Sequence, residues 1–136
     1  MQFRLSFSEL QGLIYTKTGK SVTFSCNDTH SIRVGYDVHV LLKTSNVGID
    51  LTVEQVDNSG IRIAYSGGMG IEFMVKQALE RIKGQPGADM LEALPGNRLQ
   101  LHLDKNDQLN QILQRVTLKD ITFDPQFATI EFSPKI

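Results

Sequence analysis

The chain has 136 residues, 40% hydrophobic and 21% charged, ordinary globular proportions that suit one domain folding without a disulfide or metal staple. Its 14 basic and 15 acidic residues leave a net charge of −1 without a basic run. That argues against nucleic acid, whose binding draws most of its non-specific affinity from phosphate neutralisation. The single cysteine, Cys26, excludes an internal disulfide, and no apolar stretch reaches membrane-spanning length.

Phe3, Leu5 and Phe7 alternate as a short strand without the apolar core of a signal peptide, so a cytoplasmic location is expected. A short helix follows, capped by Ser6 or Ser8, carrying Leu10, Leu13 and Ile14 on one face and ended by Gly19. From Val22 the period becomes two. Val22, Phe24 and Cys26 run to an Asn27-Asp28 turn. Ile32, Val34, Tyr36, Val38, Val40 and Leu42 then form a long apolar phase opposite Arg33, Gly35, Asp37, His39 and Leu41. A turn at Ser45-Asn46 leads to Val47, Ile49, Leu51 and Val53, and Asn58-Ser59-Gly60 leads to Ile61, Ile63 and Tyr65. Such alternation with short turns describes an antiparallel meander with one solvated face.

Ser66-Gly67-Gly68-Met69-Gly70 interrupts the sheet. Ile71, Met74, Val75, Ala78, Leu79 and Ile82 follow at helical spacing among polar partners, and Gly84 and Pro86 end this amphipathic helix. A short apolar turn around Met90, Leu91 and Leu94 precedes a strand through Leu99, Leu101 and Leu103. Asp104–Asp107 caps a short helix bearing Leu109, Ile112 and Leu113. The last two strands carry Val116, Leu118, Ile121 and Phe123, with a bulge expected where the phase changes after Leu118, and Ala128, Ile130 and Phe132. The expected architecture is one α+β domain over residues 1–136. Its curved antiparallel sheet meander packs on one main amphipathic helix, with one or two short helices besides.

No motif in the chain carries catalysis or a metal. Thr18-Gly19-Lys20-Ser21 resembles the end of a phosphate-binding loop, but helix precedes it and strand follows, the reverse of the required order. Gly67-Gly68-Met69-Gly70 lies between strand and helix, yet antiparallel neighbours remove the crossover that a dinucleotide site needs. Asp104–Gln108 starts like a calcium loop and lacks its closing glutamate. Cys26 shares the phase of Val22 and Phe24, which reads as a small buried hydrophobe. His30, His39 and His102 have no metal-ligand spacing, so no cofactor or metal is expected. Phe73 and Phe127 fall out of phase with their apolar stripes, which marks one of them for a contact surface.

The order of elements resembles a module of the tubular lipid-binding family. The residues that carry the resemblance are the helix entered through Leu5–Leu10, the meander, the helix Ile71–Ile82, the segment Leu99–Asp104 with its helical Gln108–Leu113, and the closing hairpin Val116–Phe123 into Ala128–Phe132. It spans nearly the whole chain and rests on no diagnostic motif. It implies an apolar groove between helix and sheet for an acyl chain or similar ligand, lined by Met74, Ala78 and Ile82 on the helix and Val38, Val40, Leu51 and Val53 on the sheet. The helix is shorter than the family's, and no export signal is present. The same residues would otherwise be a solid core, the usual state of protein interiors.

The expected function is therefore a non-enzymatic binding module for a hydrophobic small molecule or lipid. The alternative is a protein-interaction or assembly subunit, a homodimer included, using a sheet edge or the wet face around His39. An enzyme whose residues converge only in the fold is the third reading.

Overall fold

The computed structural model describes residues 1–136 other than Met69, Pro86 and Ile136, and omits the side chains of Val38, His39 and Val40. The chain opens with strand β1 (Gln2–Ser6) and helix α1 (Phe7–Thr18). Ser6 caps the helix: its Oγ accepts from the Glu9 N–H at 3.0 Å and donates to Glu9 Oε1 at 2.9 Å. Gly19 closes it in the left-handed region, φ 72°, with its N–H on the Tyr15 carbonyl.

Four strands follow, β2 (Val22–Asp28), β3 (Ser31–Val40), β4 (Lys43–Val56) and β5 (Gly60–Gly67), then helix α2 (Ile71–Ile82). A hairpin of β6 (Leu91–Leu94) and β7 (Arg98–His102), helix α3 (Asp107–Leu113) and a hairpin of β8 (Val116–Phe123) and β9 (Phe127–Pro134) complete the fold. Asn106 caps α3 by accepting the Leu109 N–H at 3.0 Å.

The protein is thus α+β with antiparallel pairing throughout. Its strands divide between a six-stranded sheet, order β2-β3-β4-β5-β7-β6, and a three-stranded sheet, order β1-β9-β8. Directly opposed residues share a face. Phe24 pairs with Val34 and Val34 with Ile49; Leu51 pairs with Tyr65, Val53 with Ile63, Ile63 with Leu99, and Leu99 with Ala93. One face of the large sheet is therefore apolar from edge to edge. An irregularity between Val53 and Gln55 adds a residue to β4, which lets Val56 rejoin that face opposite Ile61.

The register also relocates a turn. Pairing Ile32 with Leu51, Val34 with Ile49 and Tyr36 with Val47 centres the hairpin between Leu41 and Leu42, and not at Ser45-Asn46. The apolar pairs outvote local turn preference, because slipping by one residue would turn each of them to water. Ser45 and Asn46 lie within β4, where Asn46 Nδ2 donates to Asp37 Oδ1 at 3.1 Å.

Two further expectations change. Leu91–Leu94 is a strand paired to β7 and not an apolar turn, with the left-handed Gly96 and Asn97 in its connecting loop. Leu103 leaves β7 for a 3₁₀ turn (Leu103–Lys105), where it is buried and its N–H meets the Ser59 carbonyl at 3.2 Å. The expected bulge in β8 is present between Leu118 and Asp120.

Helix α1 packs on β2. The Phe7 ring is buried 6.1 Å from Phe24 and 6.5 Å from Phe123, tying α1 to both sheets. Strand β8 lies against β3 and β4. Ile32, Ile61, Tyr65, Ile71 and Leu103 complete the buried apolar set, and among the described residues no side chain is sealed completely from solvent. Ile71 anchors the start of α2 over Gly67, its Cγ1 sitting 3.1 Å from where a Cβ on that glycine would be. The rest of the α2 stripe, Met74, Val75, Leu79 and Ile82, is only half-buried, and Ala78 is exposed.

Candidate functional site

Beyond Ile71 the helix does not close down on the sheet. Its C-terminal half faces β6 across an open cleft of about 520 Å³. Leu79 and Ile82 from α2, Ala88 from the following 3₁₀ turn, and Leu91 and Ala93 from β6 supply the apolar walls. The cause is local. Two left-handed glycines, Gly84 (φ 85°) and Gly87 (φ 84°), turn the chain back beside the helix. Leu91 and Ala93 then face the same side as Leu101 and Leu99, extending the apolar face of the sheet beneath α2.

The rim is charged. Lys76 Nζ lies 3.4 Å from Glu72 and Lys83 Nζ 4.0 Å from Glu80, helical pairs that leave both ammonium groups exposed at the mouth. Asp89 adds one carboxylate. An apolar trough with polar groups at one margin suits a ligand with a hydrocarbon body and a polar head, and its volume falls in the range of small-molecule sites.

Of the residues expected to line a helix–sheet groove, Ile82 borders this cleft. Met74 is half-buried nearer Ile71 on the helix, outside the cleft lining, and Ala78 is exposed, so neither is a cleft residue. Leu51 and Val53 are half-buried on the apolar face of β4, away from β6, and do not line it. The side chains of Val38 and Val40 lie outside the described residues. Leu79 was legible in the helical stripe, whereas Leu91 and Ala93 were hidden because their segment read as a turn.

The polar face of the large sheet carries a second hollow of about 410 Å³, bordered by Glu54, Gln55, Arg62, Leu94, Pro95 and Arg98. Arg98 Nε donates to Glu54 Oε1 at 2.7 Å, a hydrogen bond and charge pairing that raise the guanidinium pKa further. Glu54 thus already supplies the counter-charge for Arg98.

The histidines are engaged separately. His30 Nε2 lies 3.2 Å from both Asp120 carboxylate oxygens, joining the turn before β3 to β8. His102 Nε2 is 2.8 Å from Glu92 Oε1 across the β6–β7 pair. His39 has its side chain outside the described residues. Cys26 is half-buried and its Sγ is directed at the Asp28 carbonyl, 3.2 Å away. Among the described residues, no three of His, Cys, Asp and Glu gather as metal ligands, and no helix is long and apolar enough to cross a membrane.

Phe73 is 66% exposed on the outer side of α2. Phe127 is half-buried beneath Arg4, whose guanidinium carbon lies 4.2 Å from the ring centroid. No protein-family model, curated protein or solved structure matches this chain.

Proposed function

We propose that this protein is a non-enzymatic binding module that holds an apolar, acyl-chain-like ligand in the cleft between α2 and β6. The observation that carries this reading is the open apolar trough lined by Leu79, Ile82, Ala88, Leu91 and Ala93. Unfilled, it leaves Leu79, Ile82 and Leu91 half-buried against water, and covering them gains a part of the about 1.5–3 kcal/mol that full burial of such a side chain is worth. A hydrocarbon chain supplies that cover without needing a hydrogen-bond partner. The rim carries Lys76 and Lys83 together with Glu80 and Asp89, so its charges balance and the reading rests on the apolar walls.

Native mass spectrometry of protein purified without detergent, repeated after denaturing extraction, tests this. An added mass that is lost on extraction and behaves as lipid is the expected result. A bare protein mass, together with no binding of an added fluorescent fatty acid, would remove the ligand reading.

A further inference from the structure

We infer that the hollow on the polar face of the large sheet binds a small organic monocarboxylate, held by Arg62 and Arg98 against Leu94 and Pro95. This site is separate from the α2–β6 cleft. Arg62 and Arg98 alternate along their strands with Ile63 and Leu99, which point to the opposite, apolar face.

Register assembles the hollow. Gln55 pairs with Arg62, Arg62 with Gln100, and Ala64 with Arg98. Arg62 and Arg98 are therefore diagonal neighbours on one face, about 7–8 Å apart at the backbone, within reach of one small anion. The extra residue in β4 sets Glu54 beside Gln55 on this face, where strict alternation would have turned Gln55 to the apolar side. Small residues keep the space open. Ala64 stands opposite Arg98, and Gly60 lets the Gln100 amide lie over it, Nε2 2.6 Å from where a Cβ would be. Leu94, at the end of β6, and Pro95 after it close one side.

The two guanidinium groups are unequally spent. Arg98 gives its Nε–H to Glu54 and lies over Gly96, Nη1 2.8 Å from where a Cβ on that glycine would be. Its terminal N–H groups make no further hydrogen bond among the described residues. Arg62 has neither a hydrogen bond nor an ion pair among them. A guanidinium presents its N–H donors as a planar fork that fits the two oxygens of a carboxylate.

Charge decides the class of anion. The walls carry Arg62, Arg98 and Glu54, one positive charge in excess. The nearby carboxylates are engaged elsewhere. Glu92, two strands from Arg62, meets His102 at 2.8 Å, and Asp57 is held within its own turn by Ser59 and Gly60. One excess charge matches a singly charged carboxylate, whereas a dianion would bring a second negative charge close to Glu54. Leu94 and Pro95 cover a short apolar body attached to that carboxylate.

Arginine Nε–Hε resonances of the full chain, followed by NMR at constant pH and ionic strength, test the assignment with butyrate as probe and sulfate as dianionic comparator. The Arg62 and Arg98 signals should shift saturably with butyrate and respond more weakly to sulfate. Arg62→Gln, read on the Arg98 signal, should weaken butyrate binding by about tenfold or more, the loss expected for a charge-assisted contact. Arg62→Lys should recover only part of it, because an ammonium lacks the fork. Arg62 is exposed, so both variants should fold, which circular dichroism checks. Shifts that grow linearly without saturation, or that persist unchanged in Arg62→Gln, would overturn the site. Sulfate binding as tightly as butyrate would overturn the monocarboxylate assignment. Ile82→Glu should leave butyrate binding unchanged, and Arg62→Gln should leave fatty-acid binding in the α2–β6 cleft unchanged, so each site stands or fails by itself.

Discussion

Asn58 and Leu118 fasten the two sheets together: the Leu118 N–H donates to Asn58 Oδ1 at 2.7 Å. The amide nitrogen of the same side chain donates to the carbonyls of Leu113 at 3.0 Å and Val116 at 2.9 Å. Only an amide side chain offers an acceptor and two donors at this distance from the backbone. Asn58→Ala strands three main-chain groups and should lower unfolding free energy by about 2–3 kcal/mol. Urea denaturation measures it, and a loss below about 0.5 kcal/mol would show that the sheets are joined mainly by Phe7 and its neighbours.

Gly60 and Gly48 should respond differently to alanine. A Cβ at Gly60 would run into the Leu101 carbonyl oxygen, part of the β5–β7 ladder that cannot step aside. Gly60→Ala should cost about 1–3 kcal/mol. At Gly48 the obstruction is the Arg33 guanidinium, the mobile end of a half-exposed side chain paired with Asp50 at 3.1 Å. Losing that pair costs about 0–1 kcal/mol, and replacing a strand glycine recovers about 0.5–1 kcal/mol. Gly48→Ala should therefore leave the thermal midpoint nearly unchanged, and a large drop would mean that the β3–β4 backbone cannot accept a side chain there.

Asp57 gives the fold a pH-dependent component. Its carboxylate titrates below its ordinary value of 3.8, chiefly through the hydrogen bond from the Ser59 hydroxyl, aided by the N–H groups of Gly60 and Ser59. A folded pKa below the unfolded one stabilises the protein fully above 3.8 and is lost as pH falls through the folded value. Asp57→Asn should melt below wild type at neutral pH, with the gap closing in acid beneath 3.8. A gap independent of pH would assign the effect to geometry and not to charge.

Ile82→Glu and Leu91→Glu place a carboxylate on each wall of the α2–β6 cleft. Both positions are half-buried at an open margin, so the fold should survive. Affinity for a fluorescent fatty acid should fall by about tenfold or more in each, since a charge replaces apolar contact worth about 1.5 kcal/mol or more. Ala78→Glu, at an exposed position of the same helix outside the cleft lining, should bind as wild type does, which separates the cleft from a general effect of helix charge.

Much of the local structure is legible from residue order. The period-two runs through Val34, Ile49 and Ile63 specify strands and their apolar face, and Ser6, Gly19 and Asn106 mark helix ends through side chains and conformations that act within a few residues. The bulge after Leu118 shows as a phase change for the same reason. Tertiary structure decided what depends on partners distant in sequence. Ser45-Asn46 carries good turn chemistry, but pairing of Tyr36 with Val47 moved the turn to two leucines, because burial of a whole face outweighs local preference. Leu91–Leu94 became a strand only because β7 was there to receive it. The cleft at Ile82 likewise arises from how far α2 stands from β6. That distance follows from the packing of Ile71 and the path of the chain through Gly84 and Gly87, so neither wall specifies it alone.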